Sequence, residues 1–256
     1  MRRRSKGAAP THVGGQPRAD GQMPIALRRG ARPCALVLWT WLAAGLAADS
    51  AGDPSAGLGY QPPAPGSYEL PPIQRAADGA VLDTSGSRHK LTDYLDGRVV
   101  LLSFIYTHCA DSRGCPLATQ VLHQVASRVA KDPALAGRVR FISLSFDPEH
   151  DTPQAMRAYA DAVVGRTDRD DWVFLTTASR SELAPILDRY GQYVIREHDA
   201  RGRETGALAH MLKVFLIDGQ RRVRNIYSAS FLYAPLLLND LRTLLLEHTG
   251  APSERM

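Results

Sequence analysis

Cysteine is scarce in this chain, three residues in 256, and one of the three, Cys34, falls in a segment read below as a leader. There is no C-x-x-C, the pairing that marks ordinary thioredoxin-type redox enzymes. A P-x-x-x-[ST]-x-x-C motif is also missing, because the corresponding positions before Cys109 hold Leu102 and Tyr106; this excludes a peroxiredoxin-like reading. No proline occurs between Ile186 and Tyr233, so the chain lacks the cis-proline that dithiol enzymes place opposite their cysteines. No second long apolar run and no internal repeat is present.

A basic surplus is missing too, once the ends are set aside. The formal charge is +5, but residues 1–47 hold eight of the 31 Lys and Arg and one of the 26 Asp and Glu. The remainder carries 23 basic against 25 acidic residues, a net of −2, which leaves no basic patch to bind nucleic acid.

What is there begins with an export signal. Cys34 to Ala48 reads CALVLWTWLAAGLAA, preceded by Arg28, Arg29 and Arg32 and followed by small residues, the layout of a secretory leader. Gly45 and Ala47 suit a cleavage site after Ala47. The run of about 15 residues is short of the roughly 20 that span a bilayer, and an uncleaved N-terminal anchor is the alternative. Arg28-Arg29 suggests twin-arginine export, but the residues that follow do not support it. Cys34 has no lipobox-like residues before it. A start at Met23 would give a leader of ordinary proportions. Residues 1–47 are thus a signal peptide or anchor, and 48–67, rich in Ala, Gly, Pro and Ser, a flexible linker. Residues 68–248 form the folded domain and 249–256 a tail. The address is the bacterial periplasm, either soluble or tethered to the cytoplasmic membrane.

Within the domain, Tyr68–Leu95 predicts a small β-ribbon with turns at Asp78-Gly79 and Ser85-Gly86. Val99–Tyr106 and Val139–Phe146 are apolar runs that read as strands buried on both faces. Pro116–Lys131 shows a helical period. Thr152 caps a helix that has Pro153 at its first position and runs to about Val164. Trp172–Thr176 is a third strand, and Ser179 or Ser181 starts a helix to about Tyr190. Leu212–Ile217 and Val223–Tyr227 form a hairpin across Asp218-Gly219. Ala234–Glu247 is a leucine-striped helix. The order predicts an α/β domain with a mixed central sheet flanked by helices, a thioredoxin-like fold with an N-terminal β-ribbon addition.

Cys109 and Cys115 lie on the connection from the first long strand to its helix, where an α/β sheet places its chemistry. A loop this short makes a poor staple, although a plain stabilising disulfide is the alternative. Cys115 at a helix start is expected to have a lowered pKa, hence a thiolate that serves as nucleophile or soft-metal ligand. His210, just before a buried strand that turns back towards the cysteine loop, is the candidate third ligand. Two thiolates and an imidazole suit Cu(I) and also hold Cu(II), whereas structural zinc asks for a fourth ligand that does not appear. Asp147 and Asp151, in SFDPEHDTP, are candidates to orient the site from behind the ligands, although such a stretch also reads as a turn and cap. His108 is a conditional ligand, His123 and His150 weaker ones; His89, His198 and His248 read as surface residues.

Three ordered blocks resemble the SCO/SenC family of copper-handling assembly factors for cytochrome c oxidase: Tyr106-Thr107-His108-Cys109 with Cys115-Pro116, Ser145 to Pro153, and His210 with Phe215-Leu216-Ile217-Asp218. The resemblance covers about Tyr68 to Glu247. It implies a thioredoxin fold and copper held by Cys109, Cys115 and His210. It also implies delivery to the binuclear copper centre of oxidase subunit II, or upkeep of that site's cysteines in reduced form. The partners implied are that subunit or another copper enzyme, with a thioredoxin-like reductant or a second copper carrier upstream. Two departures stand out. The family spacing is C-x3-C-P, and this chain has two more residues, within Ala110 to Gly114, which are expected to bulge outward. The family's Asp-His-Ser is here Ala209-His210-Met211, and Met211 reads as a core residue, with a thioether donor as the alternative. A metallochaperone is the main expectation; an exported thiol–disulfide oxidoreductase that carries no metal is the alternative.

Overall fold

The structure is a computed structural model and describes residues 62–165 and 171–249. The expected leader, its cleavage point, Cys34 and all of the expected tail but Thr249 lie outside these residues. No helix among the described residues is long and apolar enough to cross a membrane.

The strands are β1 (Gln74–Arg75), β2 (Ala80–Leu82), β3 (Arg88–Lys90), β4 (Val99–Ile105), β5 (Val139–Ser145), β6 (Trp172–Leu175), β7 (Val194–His198), β8 (Glu204–His210), β9 (Lys213–Ile217) and β10 (Arg222–Ser228). The helices are α1 (Cys115–Val129), α2 (Pro153–Val164), α3 (Arg180–Arg189) and α4 (Ala234–Thr249). Six strands make the central sheet in the order β1-β10-β9-β4-β5-β6. β4, β5 and β6 run parallel, while β9 is antiparallel to β4 and β10 to β9. This is the mixed, helix-flanked sheet of a thioredoxin-like fold.

The apolar runs dictate this arrangement. All seven residues of β4 are buried, as a strand covered on both faces requires. Phe104 meets Phe215 of β9 and Tyr190 edge-on, at centroid distances of 5.9 and 5.4 Å. Thr152 caps α2 by accepting the Ala155 amide, and Ser179 caps α3 by accepting that of Glu182. The first cap is where the sequence predicts it, and the second falls on Ser179, one of the two serines the sequence offers.

The ribbon at the start is split. β2 and β3 pair with each other, but β1 joins the main sheet beside β10. His89, read as a surface residue, is half-buried on β3 and bonds through Nε2 to Asp83 at 3.1 Å. The β9–β10 turn is longer than Asp218-Gly219 implies. The Asp218 carboxylate accepts the Gln220 and Arg222 amides, and Arg221 takes a φ of 61°, rare for a side-chain-bearing residue.

The larger difference is a second hairpin, β7 with β8, which the sequence reading leaves as a connection. It forms its own two-stranded sheet, and Val194 stands opposite His210. His210 is therefore the last residue of a strand, separated from β9 by two residues.

Candidate metal centre

The cysteine loop leaves β4 at Ile105 and is anchored by a buried carboxylate. Asp151 accepts the Thr107 amide at 3.1 Å, the Thr107 hydroxyl at 2.5 Å and the Ser145 hydroxyl at 2.5 Å. Asp151 thus fixes Thr107, two residues before Cys109. Gly114 then ends the loop, and α1 begins at Cys115 with Pro116 in its first turn.

The five residues between the cysteines do not keep the sulfurs apart. Ala110 to Arg113 are exposed, the outward bulge expected of the longer loop. Both thiols are free, Cys115 buried and Cys109 partly exposed. The two Sγ atoms and one ring nitrogen of His210 lie within 4.8 Å of one another. Cys115 Sγ is 3.6 Å from His210 Nε2. These are soft donors in a set that suits copper.

The imidazole is clamped by aromatic rings, with Phe146 at 4.6 Å and Tyr106 at 6.3 Å between centroids. Burial pushes the His210 pKa down, and the Met211 carbonyl and the Asp111 carboxylate oppose this. Burial pushes the Tyr106 phenol up to about 12. It also pushes the Cys115 thiol up, far above its ordinary value, against the amides of Tyr106 and Cys115 itself. This overturns the lowered pKa expected from the helix start. Cys115 is only 1% exposed, and its lost hydration outweighs the helix-terminal amides. Burial thus favours the neutral thiol, so a metal bound as thiolate must displace its proton.

The other candidates are placed elsewhere. His108 is exposed, with Nδ1 3.1 Å from Thr107 Oγ1, and is not one of the three converging residues. Asp147 is buried but pairs with His150, Oδ2 to Nδ1 at 2.8 Å. His123 is exposed on α1 and His198 on β7, whereas the side chain of His248 lies outside the described ones. Met211, read as core, is 66% exposed.

Two features have no sequence signal of the kind used above. Gln192, 2% exposed, donates from Nε2 to the Met211 carbonyl at 2.8 Å and so pins the residue after His210. A groove of about 640 Å³ runs from both sulfurs between α1 and α2, past Thr119, Gln120, Gln124 and Tyr159, and no Lys, Arg, Asp or Glu lines it. A polar residue inside an irregular connection, and a groove between two helices, are set by tertiary packing and leave no periodicity to read.

The profile of the family described as SCO1/SenC matches residues 80–245. Over 170 residues the chain is 24% identical to the SCO1 protein homolog of Bacillus subtilis (strain 168), covering 66% of this chain and 79% of that protein. In shape it is similar to Arabidopsis thaliana ScoI with copper bound, with a TM-score of 0.56 and 19% identity over 67% of this chain and 98% of that one. It is likewise similar to Bradyrhizobium japonicum ScoI with copper bound, with a TM-score of 0.51 and 24% identity over 64% of this chain and 99% of that one. Those two likenesses establish the fold, and the profile match spans well over half of the chain: this protein belongs to the SCO1/SenC family.

Proposed function

We propose that this protein carries one copper ion between Cys109, Cys115 and His210. It would deliver that ion outside the cytoplasmic membrane to the binuclear centre of cytochrome c oxidase subunit II or to another copper enzyme. The observation that carries the reading is the meeting of two sulfurs and one imidazole nitrogen within 4.8 Å, from residues 95 positions apart in sequence. Two thiolates hold Cu(I), and the imidazole adds the harder donor that lets the same site keep Cu(II). Asp151 holds the loop through Thr107, and Phe146 and Tyr106 hold the imidazole ring. The α1–α2 groove gives an incoming ligand a path to both sulfurs that does not pass His210, which is absent from its walls.

A second reading rests on the asymmetry of the thiols. Cys109 is partly exposed and Cys115 buried, the arrangement of an attacking and a resolving cysteine. Cys109 would attack a client disulfide and release one client thiol. Cys115 would then displace the second, leaving the client reduced and the protein with a Cys109–Cys115 disulfide that a thioredoxin-like reductant reopens.

The test is Cu(I) binding by the purified reduced protein against a competing chelator. One copper per chain is expected. Outer-shell partners alone are worth 10–100-fold in metal affinity, so loss of a ligand in Cys109→Ser or Cys115→Ser should cost more than about a hundredfold. If His210→Ala binds both oxidation states as the wild type does, the ligand assignment fails. Deletion of the gene should lower oxidase activity, with partial rescue by added copper. Rescue by thiol reductant alone would favour the second reading.

A further inference from the structure

The loop between the cysteines carries a carboxylate at the edge of the site. Asp111 is held by its own turn: the Gly114 amide donates to its carbonyl at 3.0 Å, and the Arg113 amide to its Oδ1 at 2.9 Å. Oδ2 takes no hydrogen bond from any described residue. Gly114 shows where that oxygen points. A Cβ placed on this buried glycine would stand 3.3 Å from Cys109 Sγ and 3.5 Å from Asp111 Oδ2, so the sulfur and the carboxylate border the same point. The carboxylate therefore lies beside the outermost sulfur.

We propose that Asp111 Oδ2 supplies the oxygen donor that completes the coordination of Cu(II) at Cys109, Cys115 and His210, and that it stands off when the site holds Cu(I). This rests on the copper reading above. Two thiolates and an imidazole satisfy the soft, low-coordinate Cu(I). Cu(II) prefers a tetragonal set that includes harder N and O donors, and three protein ligands leave it one short. Asp111 is exposed, so its carboxylate is hydrated before copper arrives and is not buried in the empty protein. The bulge of Ala110 to Arg113 is the part of the loop that is not packed, so the side chain can move onto or off the ion without disturbing Cys115. The residues separating the cysteines would thus decide which oxidation state the protein favours.

The experiment compares Asp111→Ala, Asp111→Asn and Arg113→Ala with the wild type. It measures Cu(I) and Cu(II) affinity, the electron paramagnetic resonance spectrum of the Cu(II) form and the Cu(II)/Cu(I) potential. Asp111→Asn keeps the side-chain oxygen that caps the Arg113 amide, so it removes the charge while preserving the turn. Both Asp111 variants should show altered g and copper hyperfine values and about tenfold weaker Cu(II) binding. Cu(I) affinity should change by less than about twofold. That tenfold loss in one oxidation state corresponds to a potential raised by about 59 mV. Arg113→Ala should match the wild type throughout. The proposal is overturned if the Asp111 variants keep the wild-type Cu(II) spectrum, whatever their potential, or if they lose both oxidation states equally. It is also overturned if the wild type binds Cu(I) but forms no stable Cu(II) species. Loss of Cu(I) binding in the wild type would instead remove the copper reading itself.

Discussion

Cys115 and His210 reach the same point from supports of very different build. Cys115 heads a helix that follows β4, and every residue of that strand is buried. His210 ends β8, and in the β7–β8 hairpin only Leu208 is buried. The sulfur side rests on the central core, while the imidazole side rests on a two-stranded arm held largely by polar tethers. Gln192 Nε2 grips the Met211 carbonyl at 2.8 Å, and Lys213 Nζ the Gly191 carbonyl at 2.7 Å. Arg196 pairs with Glu149 of the β5–α2 loop at 3.0 Å and with Glu204 at 2.6 Å. A site built this way keeps one wall fixed and leaves the other adjustable. Local opening is cheapest where few apolar contacts must break.

This contrast can be broken by substitution. Phe104→Ala removes a ring that is 1% exposed in the sheet core and should cost about 3–5 kcal/mol in denaturant unfolding. Ile195→Ala, on the hairpin face where the side chain is 66% exposed, should stay within about 0.5 kcal/mol. Equal costs would mean that the arm is as tightly built as the core. Asp151→Ala comes next, because it strands the Thr107 amide and the Thr107 and Ser145 hydroxyls, for about 2–3 kcal/mol. The same change should loosen the cysteine loop, read as faster alkylation of Cys115, which in the wild type should lag well behind Cys109. Gln192→Leu should cost about 1 kcal/mol and speed amide exchange in the hairpin while the β4 amides keep their protection.

The pH dependence sharpens the comparison on the imidazole side. Burial lowers the His210 pKa, so below the ordinary value of 6.5 the unfolded chain takes up a proton before the folded one does. Stability is therefore full above 6.5 and is lost as the pH falls beneath it, until the folded protein also protonates. His210→Ala should flatten that part of the stability profile, and an unchanged slope would contradict the buried, neutral ring. Arg196→Ala is expected to have a small effect, under about 1 kcal/mol and diminishing with salt, since Glu149 is half exposed.

The same contrast explains what could be read from the amino-acid order. β4 and β5 are legible because burial on both faces writes a largely apolar run, interrupted by Ser103 in β4 and by Arg140, Ser143 and Ser145 in β5, and α2 because Thr152 and Pro153 mark its start. The β7–β8 arm is not legible. Its strands read VIREH and ETGALAH, too polar and too short of alternation to signal a sheet, and they are defined by pairing with each other. Met211 misleads for a related reason: it follows the arm's last residue, and its apolar side chain faces solvent instead of the core. The three metal-binding candidates were identifiable from residue type and place in the chain order. The sign of the Cys115 pKa was not, because it depends on how deeply the helix start is buried, which only the packed structure fixes. His108 reads as a neighbour of Cys109 in sequence, yet the loop turns it outward.

The central claim, that Cys109, Cys115 and His210 together hold one copper ion, is tested most directly by X-ray absorption at the copper edge of the Cu(I)-loaded protein. The account predicts two sulfur scatterers and one imidazole nitrogen per copper, with one sulfur lost in Cys115→Ser and the imidazole signal lost in His210→Ala. A wild-type shell without two sulfurs, or a His210→Ala spectrum identical to the wild type, would contradict it.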